Sequence, residues 1–158
     1  MQLIPATSTH LPELMSWFNS EAELISWAGP GFRFPFNAES FAQDLKLQSL
    51  ASCLLQADDG QILGFGQYSL QHGHAHLSRL VIHPRFRGYG FIQILLGKLQ
   101  RQAGLTLNTA SASLFVFRSN AAAIRAYQQA GFVEQLHPQG ELHQLCSYMV
   151  RPANAVAS

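Results

Sequence analysis

At 158 residues, 47% hydrophobic and 12% charged, the chain is large enough to enclose one core and is no disordered sequence. A formal net charge of +1 supplies no global field for nucleic acid or an anionic membrane surface, so any basic site must be local. No apolar run approaches the roughly 20 residues needed to span a bilayer, so no membrane partner is expected.

Residues 2–6 read as a short first strand, closed by Pro5 and the Thr7-Ser8-Thr9 cluster. Thr9 is expected to cap a helix with Pro12 in its first turn, which puts Leu11, Leu14, Met15 and Phe18 at helical spacing. A second helix is expected from Glu21 to Ala28, broken at Gly29-Pro30-Gly31, and a third begins at an Asn37 cap and carries Phe41, Leu45 and Leu47. The period then changes. Ser52 to Gln56 and Ile62 to Leu70 read as strands joined at Asp58-Asp59-Gly60, and Gln71-His72-Gly73 turns the chain into a further strand, His74 to Ile82.

Beyond residue 82 a helix is expected from Phe91 to a terminal Gly104, with Ile94, Leu95 and Leu99 on one side. A strand Ser113 to Phe117, a helix Asn120 to Ala130, and a last hairpin from Phe132 turning at Gln139-Gly140 complete the order. That order, β-α-α-β-β-β-α-β-α-β-β, differs from a doubly wound dinucleotide fold, which alternates strand and helix from the start. Residues 1–150 are expected as a single domain and 151–158 as a flexible tail. Met1 to Ser8 lacks a charged stretch followed by an apolar one, and Cys53 and Cys146 sit at no metal-ligand spacing; a cytoplasmic protein with reduced thiols is expected.

The most informative segment is Arg87-Gly88-Tyr89-Gly90, between an apolar strand and an amphipathic helix. Two glycines there let the backbone approach a ligand closely, and the N–H groups of a helix start favour an anion. Arg87 adds a fixed cation suited to phosphate oxygens. Together they read as a pyrophosphate grip.

Leu80-Val81-Ile82-His83-Pro84-Arg85-Phe86-Arg87-Gly88-Tyr89-Gly90-Phe91-Ile92 resembles the fourth strand and phosphate loop of the GNAT superfamily of N-acetyltransferases. Ser113-Leu114-Phe115-Val116, followed by Asn120, Ala123, Ile124, Tyr127 and Gly131-Phe132, resembles that family's fifth strand and the helix with its usual tyrosine. The resemblance implies an α+β (mixed α/β) fold: a mostly antiparallel central sheet of about seven strands with helices on both faces. It implies acetyl-CoA as co-substrate and no metal. Main-chain groups at Leu80, Val81 and Ile82 would pair with the pantetheine arm. Residues Arg87, Gly88, Tyr89, Gly90, Phe91 and Ile92 would hold the pyrophosphate, and Asn120 would reach the arm or simply cap its helix. The sequence departs from the family pattern at Ile92, where Gly or Ala is usual; Gly88 and Gly90 are expected to suffice for the grip.

The chemistry implied is attack of a neutral primary amine on a thioester. Tyr127, with a reference pKa of about 10 against about 8.5 for a thiol, is the expected general acid; the alternative is a core aromatic three residues after Ile124. No general base stands out, and an α-amine, about a tenth neutral at pH 7, can react without one. His74, His76 and Ser78 precede the cofactor edge and are placed to orient a relay water. His72, His74 and His76 alternate onto one strand face, but no carboxylate or cysteine joins them, so hydrogen-bonded histidines are expected rather than a metal. The aromatic stretch Trp27 to Phe36, with Trp27, Arg33 and Phe34 foremost, is expected on the acceptor side, where Arg33 would meet a carboxylate or polarise a carbonyl. The acceptor is expected to be a small molecule or peptide amine. A non-catalytic acyl-CoA sensor of the same fold is the alternative. Oligomeric state is not legible in the sequence, and the resemblance leaves a homodimer open.

Overall fold

In a computed structural model, which describes residues 1–140 and 145–153, the first strand β1 (Gln2–Pro5) pairs antiparallel with β2 (Ala51–Gln56), setting Leu3 opposite Leu55 and Ile4 opposite Leu54. Three helices lie between them: α1 (Leu11–Met15), α2 (Glu21–Ala28) and α3 (Ala38–Leu45). Strands β3 (Ile62–Gln71) and β4 (His74–Ile82) follow, then α4 (Phe91–Leu107), β5 (Ala112–Phe117), α5 (Ala121–Gln129), β6 (Val133–Glu134) and β7 (Cys146–Arg151). The seven strands form one sheet in the order β1-β2-β3-β4-β5-β7-β6. β5–β7 and β6–β7 are antiparallel like β1–β2, whereas β4–β5 is parallel. The fold is mixed α/β with a mostly antiparallel sheet, as expected.

Local signals explain most boundaries. Ser20 caps α2 by accepting from the Glu23 N–H, and Asn37 caps α3 by accepting from the Ser40 N–H, at 2.8 Å. The first helix differs from expectation. A 3-10 turn occupies Ser8–His10, and the Thr7 N–H donates to His10 Nδ1 at 2.9 Å, so Thr9 lies inside that turn instead of capping. The long helix also differs: α4 runs past Gly104 to Leu107 and closes on Asn108, whose φ of 54° is left-handed, with the Thr109 N–H donating to the Gly104 carbonyl.

The chain divides into two units, one comprising Met1–Gln67 and Arg79–Phe91, the other Tyr68–Ser78 and the chain from Ile92 onward. The first unit's core gathers the buried faces of its helices and strands, with Leu24, Phe41, Leu45 and Phe65 fully enclosed. Each such side chain contributes about 1.5–3 kcal/mol by leaving water. In the second unit β5 lies against β7 from Ala112 opposite Arg151 to Phe117 opposite Cys146. Helix α4 buries Leu95, Leu96, Leu99 and Ala103. β7 thus takes in Arg151, the first residue of the expected tail; residues 154–158 of that tail, and 141–144 beyond the Gln139-Gly140 turn, lie outside the described residues. Among the described residues no helix is long and apolar enough to cross a membrane.

Candidate active site

In the first unit, β4 ends at Ile82 and the chain passes through a 3-10 turn, Pro84–Phe86, into the glycine loop. His83 anchors that turn. Its Nδ1 accepts from the Arg85 N–H, and its ring lies 5.0 Å from those of both Trp17 and Phe86. Arg87 Nε donates to the Ile82 carbonyl at 3.1 Å, tying the loop back to the strand it left, and its outer nitrogens make no hydrogen bond among the described residues. Gly88 and Gly90 take φ of 85° and 80°, values a side chain rarely adopts, and no atom lies within 4 Å of where either Cβ would stand. The space is open for another molecule's oxygens. Helix α4 starts at Phe91, so the first-turn N–H groups have no acceptor within the helix. Tyr89 is 72% exposed, its ring 6.1 Å from that of Phe91. These residues fit an anionic group such as a pyrophosphate.

Upstream on β4, Leu80 is half-buried and Val81 and Ile82 are buried. Arg79, just before them, has a left-handed φ of 48° within the strand, a strained setting that costs about 1–3 kcal/mol. Its carbonyl accepts from Trp27 Nε1 at 2.7 Å. Trp27 is otherwise a packing residue, stacked on Phe18 at 4.4 Å and facing Phe41 at 6.0 Å. Arg33 meets a carboxylate of its own chain: its fork and backbone N–H hold Asp44 at 2.9–3.3 Å, and Nη2 also reaches Gln43. That pairing, chiefly the side-chain hydrogen bond, raises the pKa of Arg33 and lowers that of Asp44. Phe34 is exposed, edge-on to Phe36 at 5.8 Å.

Sequence reasoning did not single out Arg79 or Gln67. Gln67, fully buried, donates through Nε2 to the Leu45 carbonyl and to Ser52 Oγ, and its Oε1 accepts from Arg79 Nη1 at 3.0 Å. The available signal was strand alternation, which places Arg79 at an inward position between Leu77 and Val81.

The second unit holds the other expected residues. β4 pairs with β5 through Ala75 opposite Ala112 and His76 opposite Ser113. His76 is buried, its Nδ1 sharing a 2.8 Å hydrogen bond with Ser113 Oγ and its ring 4.9 Å from that of Phe115. Burial, and then the neighbouring histidines 137, 72 and 74, push its pKa down to about 4, so at neutral pH it is uncharged. His74 spends Nδ1 on Ser111 Oγ at 2.7 Å, and the His72 ring packs against that of His137. Ser78 is half-buried. Asn120 caps α5, its Oδ1 accepting from the Ala123 N–H at 3.2 Å, which leaves the Nδ2 donor for another partner. Seven residues on, Tyr127 is buried, and burial pushes its pKa up to about 12. The phenol stays protonated at any ordinary pH. Ile92, at the start of α4, is half-buried.

The Acetyltransferase (GNAT) family profile matches residues 13–132, and the chain belongs to that family, a class of N-acetyltransferases. Solved structures agree in fold. Spermidine N-acetyltransferase from Vibrio cholerae, in complex with CoA and spermine, shares 18% identity over 94% of this chain and 93% of that one, with a TM-score of 0.71. Aminoglycoside acetyltransferase AAC(6')-Ib with coenzyme A and kanamycin shares 21% identity over 96% and 94%, TM-score 0.71. The same enzyme with ribostamycin and coenzyme A gives a TM-score of 0.73 at 21% identity, over 96% and 92%. At such identities the likeness is one of fold.

Proposed function

We propose that the chain transfers the acetyl group of acetyl-CoA to a primary amine of a small molecule or peptide, by direct attack, with Tyr127 as general acid. The observation that carries this reading is the loop Arg87–Phe91: two left-handed glycines with nothing in their Cβ space, at a helix start, tethered by Arg87 to the strand before it. Family membership supplies the donor class, and the fold relatives named above carry coenzyme A with amine substrates. Cytoplasmic residence belongs to the same reading.

In this mechanism the N–H groups of residues 88–92 and the Arg87 guanidinium hold the pyrophosphate. Leu80, Val81 and Ile82 offer main-chain partners to the arm, the Ile82 carbonyl sharing its capacity with Arg87, while Asn120 Nδ2 donates to it. Acetyl-CoA, once bound, supplies an activated acyl carbon and a thiol leaving group. Tyr127 donates a hydrogen bond to the departing sulfur. A phenol pushed up to about 12 is a weaker acid than the thiol, so its help to the departing sulfur is chiefly a hydrogen bond that strengthens as negative charge builds there. His76, near pKa 4, is too weak a base to strip an ammonium group. The amine therefore has to arrive neutral, and a water held by His76 or Ser78 is enough to carry its proton away.

The test is coenzyme A release, read by thiol detection, across a panel of primary amines. Release that is strongly reduced in Tyr127→Phe supports the mechanism. Tight acetyl-CoA uptake with no release from any amine would instead indicate a sensor.

A further inference from the structure

Two guanidinium groups in the first unit depend on one carboxylate. Both oxygens of Asp44 are taken by Arg33, and Asp44 is the one carboxylate whose charge registers on Arg79 among the described residues. Among the described residues Arg79 is therefore a part-buried cation in no ion pair, with Asp44 acting on it only at a distance. Its Nη1 has Gln67, its Nε is sealed from solvent with no acceptor, and Phe32 faces the guanidinium carbon at 6.0 Å. Burial, its largest perturbation, lowers its pKa. Nη2 makes no hydrogen bond among the described residues and is not among the sealed atoms, so it keeps some exposure and an unspent donor edge. An interior charge left this way is costly unless an anion completes it.

Position says which molecule brings that anion. β4 runs from His74 to Ile82 and leads into the phosphate loop. An arm anchored at residues 87–91 and laid back along Ile82, Val81 and Leu80 presents its reactive end toward Arg79. The acceptor has to meet it there.

We propose that Arg79 is the acceptor-reading residue, and that the acceptor is a primary amine carrying a carboxylate, which the unspent donor edge of the Arg79 guanidinium binds. A planar carboxylate matches that edge, and the Phe32 ring facing the guanidinium carbon gives it an apolar flank. A polycationic amine would place like charge against Arg79 and is disfavoured. The inference rests on the acetyl-transfer reading.

The experiment measures kcat/KM for alanine, leucine and phenylalanine, each against its primary amide, with spermidine as the polycation arm. The amides have the more readily neutral amine, so any intrinsic bias runs against the proposal. The wild type is expected to favour the carboxylates by at least about tenfold, the size of a charge-assisted pair. Arg79→Gln removes that preference while keeping a partner for Gln67, and Arg79→Lys retains part of it. Amides or spermidine turned over as fast as the carboxylates, or a preference surviving in Arg79→Gln, overturns the inference alone. Uptake of acetyl-CoA with no amine acetylated overturns the acetyl-transfer reading and the inference with it. Should Arg79→Gln fail to fold, the wild-type ratios and Arg79→Lys decide.

Discussion

Burial sets the chemistry of single residues here more than their identity does. Tyr127 is expected to behave asymmetrically on mutation. Its phenol makes no hydrogen bond among the described residues, so Tyr127→Phe should leave the melting temperature unchanged or slightly raised, while kcat falls by about 10²–10⁴-fold. A fall in stability matching the fall in rate would mean the residue is structural. His76 gives a pH signature. Its folded pKa of about 4 lies below the reference 6.5, so between those values the unfolded chain binds more protons and stability rises with pH. Acidification from about pH 6.5 to 4 should therefore remove up to about 3 kcal/mol, and His76→Gln should flatten that part of a denaturation-versus-pH series. Tyr127 and the glycine loop stood out in the sequence because their neighbours form a pattern. Arg79 did not, because nothing in a one-dimensional reading shows that Arg33 claims both oxygens of the nearby carboxylate.

Among the elements, those set by local chemistry were legible: α2 from its break at Gly29-Pro30-Gly31, α3 from the Asn37 cap, and the β2–β3 turn from Asp58-Asp59-Gly60. The end of α4 was not, because Gly104 looks like a terminator and serves instead as a contact. A Cβ there would stand 2.8 Å from the Thr109 carbonyl oxygen. Alanine gains about 1 kcal/mol in helix propensity, but overpacking against backbone costs about 1–3 kcal/mol. Gly104→Ala should accordingly lower stability in chemical denaturation, the reverse of the usual sign for glycine to alanine in a helix. Helix α5 offers a cleaner separation. Asn120→Ser keeps an oxygen for the Ala123 N–H and removes the amide donor. Stability should change by only a few tenths of a kcal/mol, while the KM for acetyl-CoA rises; a KM left unmoved would make Asn120 a cap alone.

At the scale of the whole molecule, element order set the chain apart from a doubly wound fold, while the mixed α/β class and the acyltransferase class came from the resemblance carried by two motifs about 30 residues apart. What element order does not reveal is how the chain is shared out: β3 and β4 each contribute to both units, so the sequence visits the first, the second, the first again and then the second. Synthesis on the ribosome runs from the amino-terminal side, and the first unit lacks half of β4 and the entire phosphate loop until Phe91 has emerged. A nascent chain stalled with Gln67 the last residue outside the exit tunnel should be digested readily by protease, and resistance should appear only once residue 91 is clear. Growth is thus not a sequence of finished parts. Tyr68 to Ser78 must wait, already made, for the more distant half of its own unit.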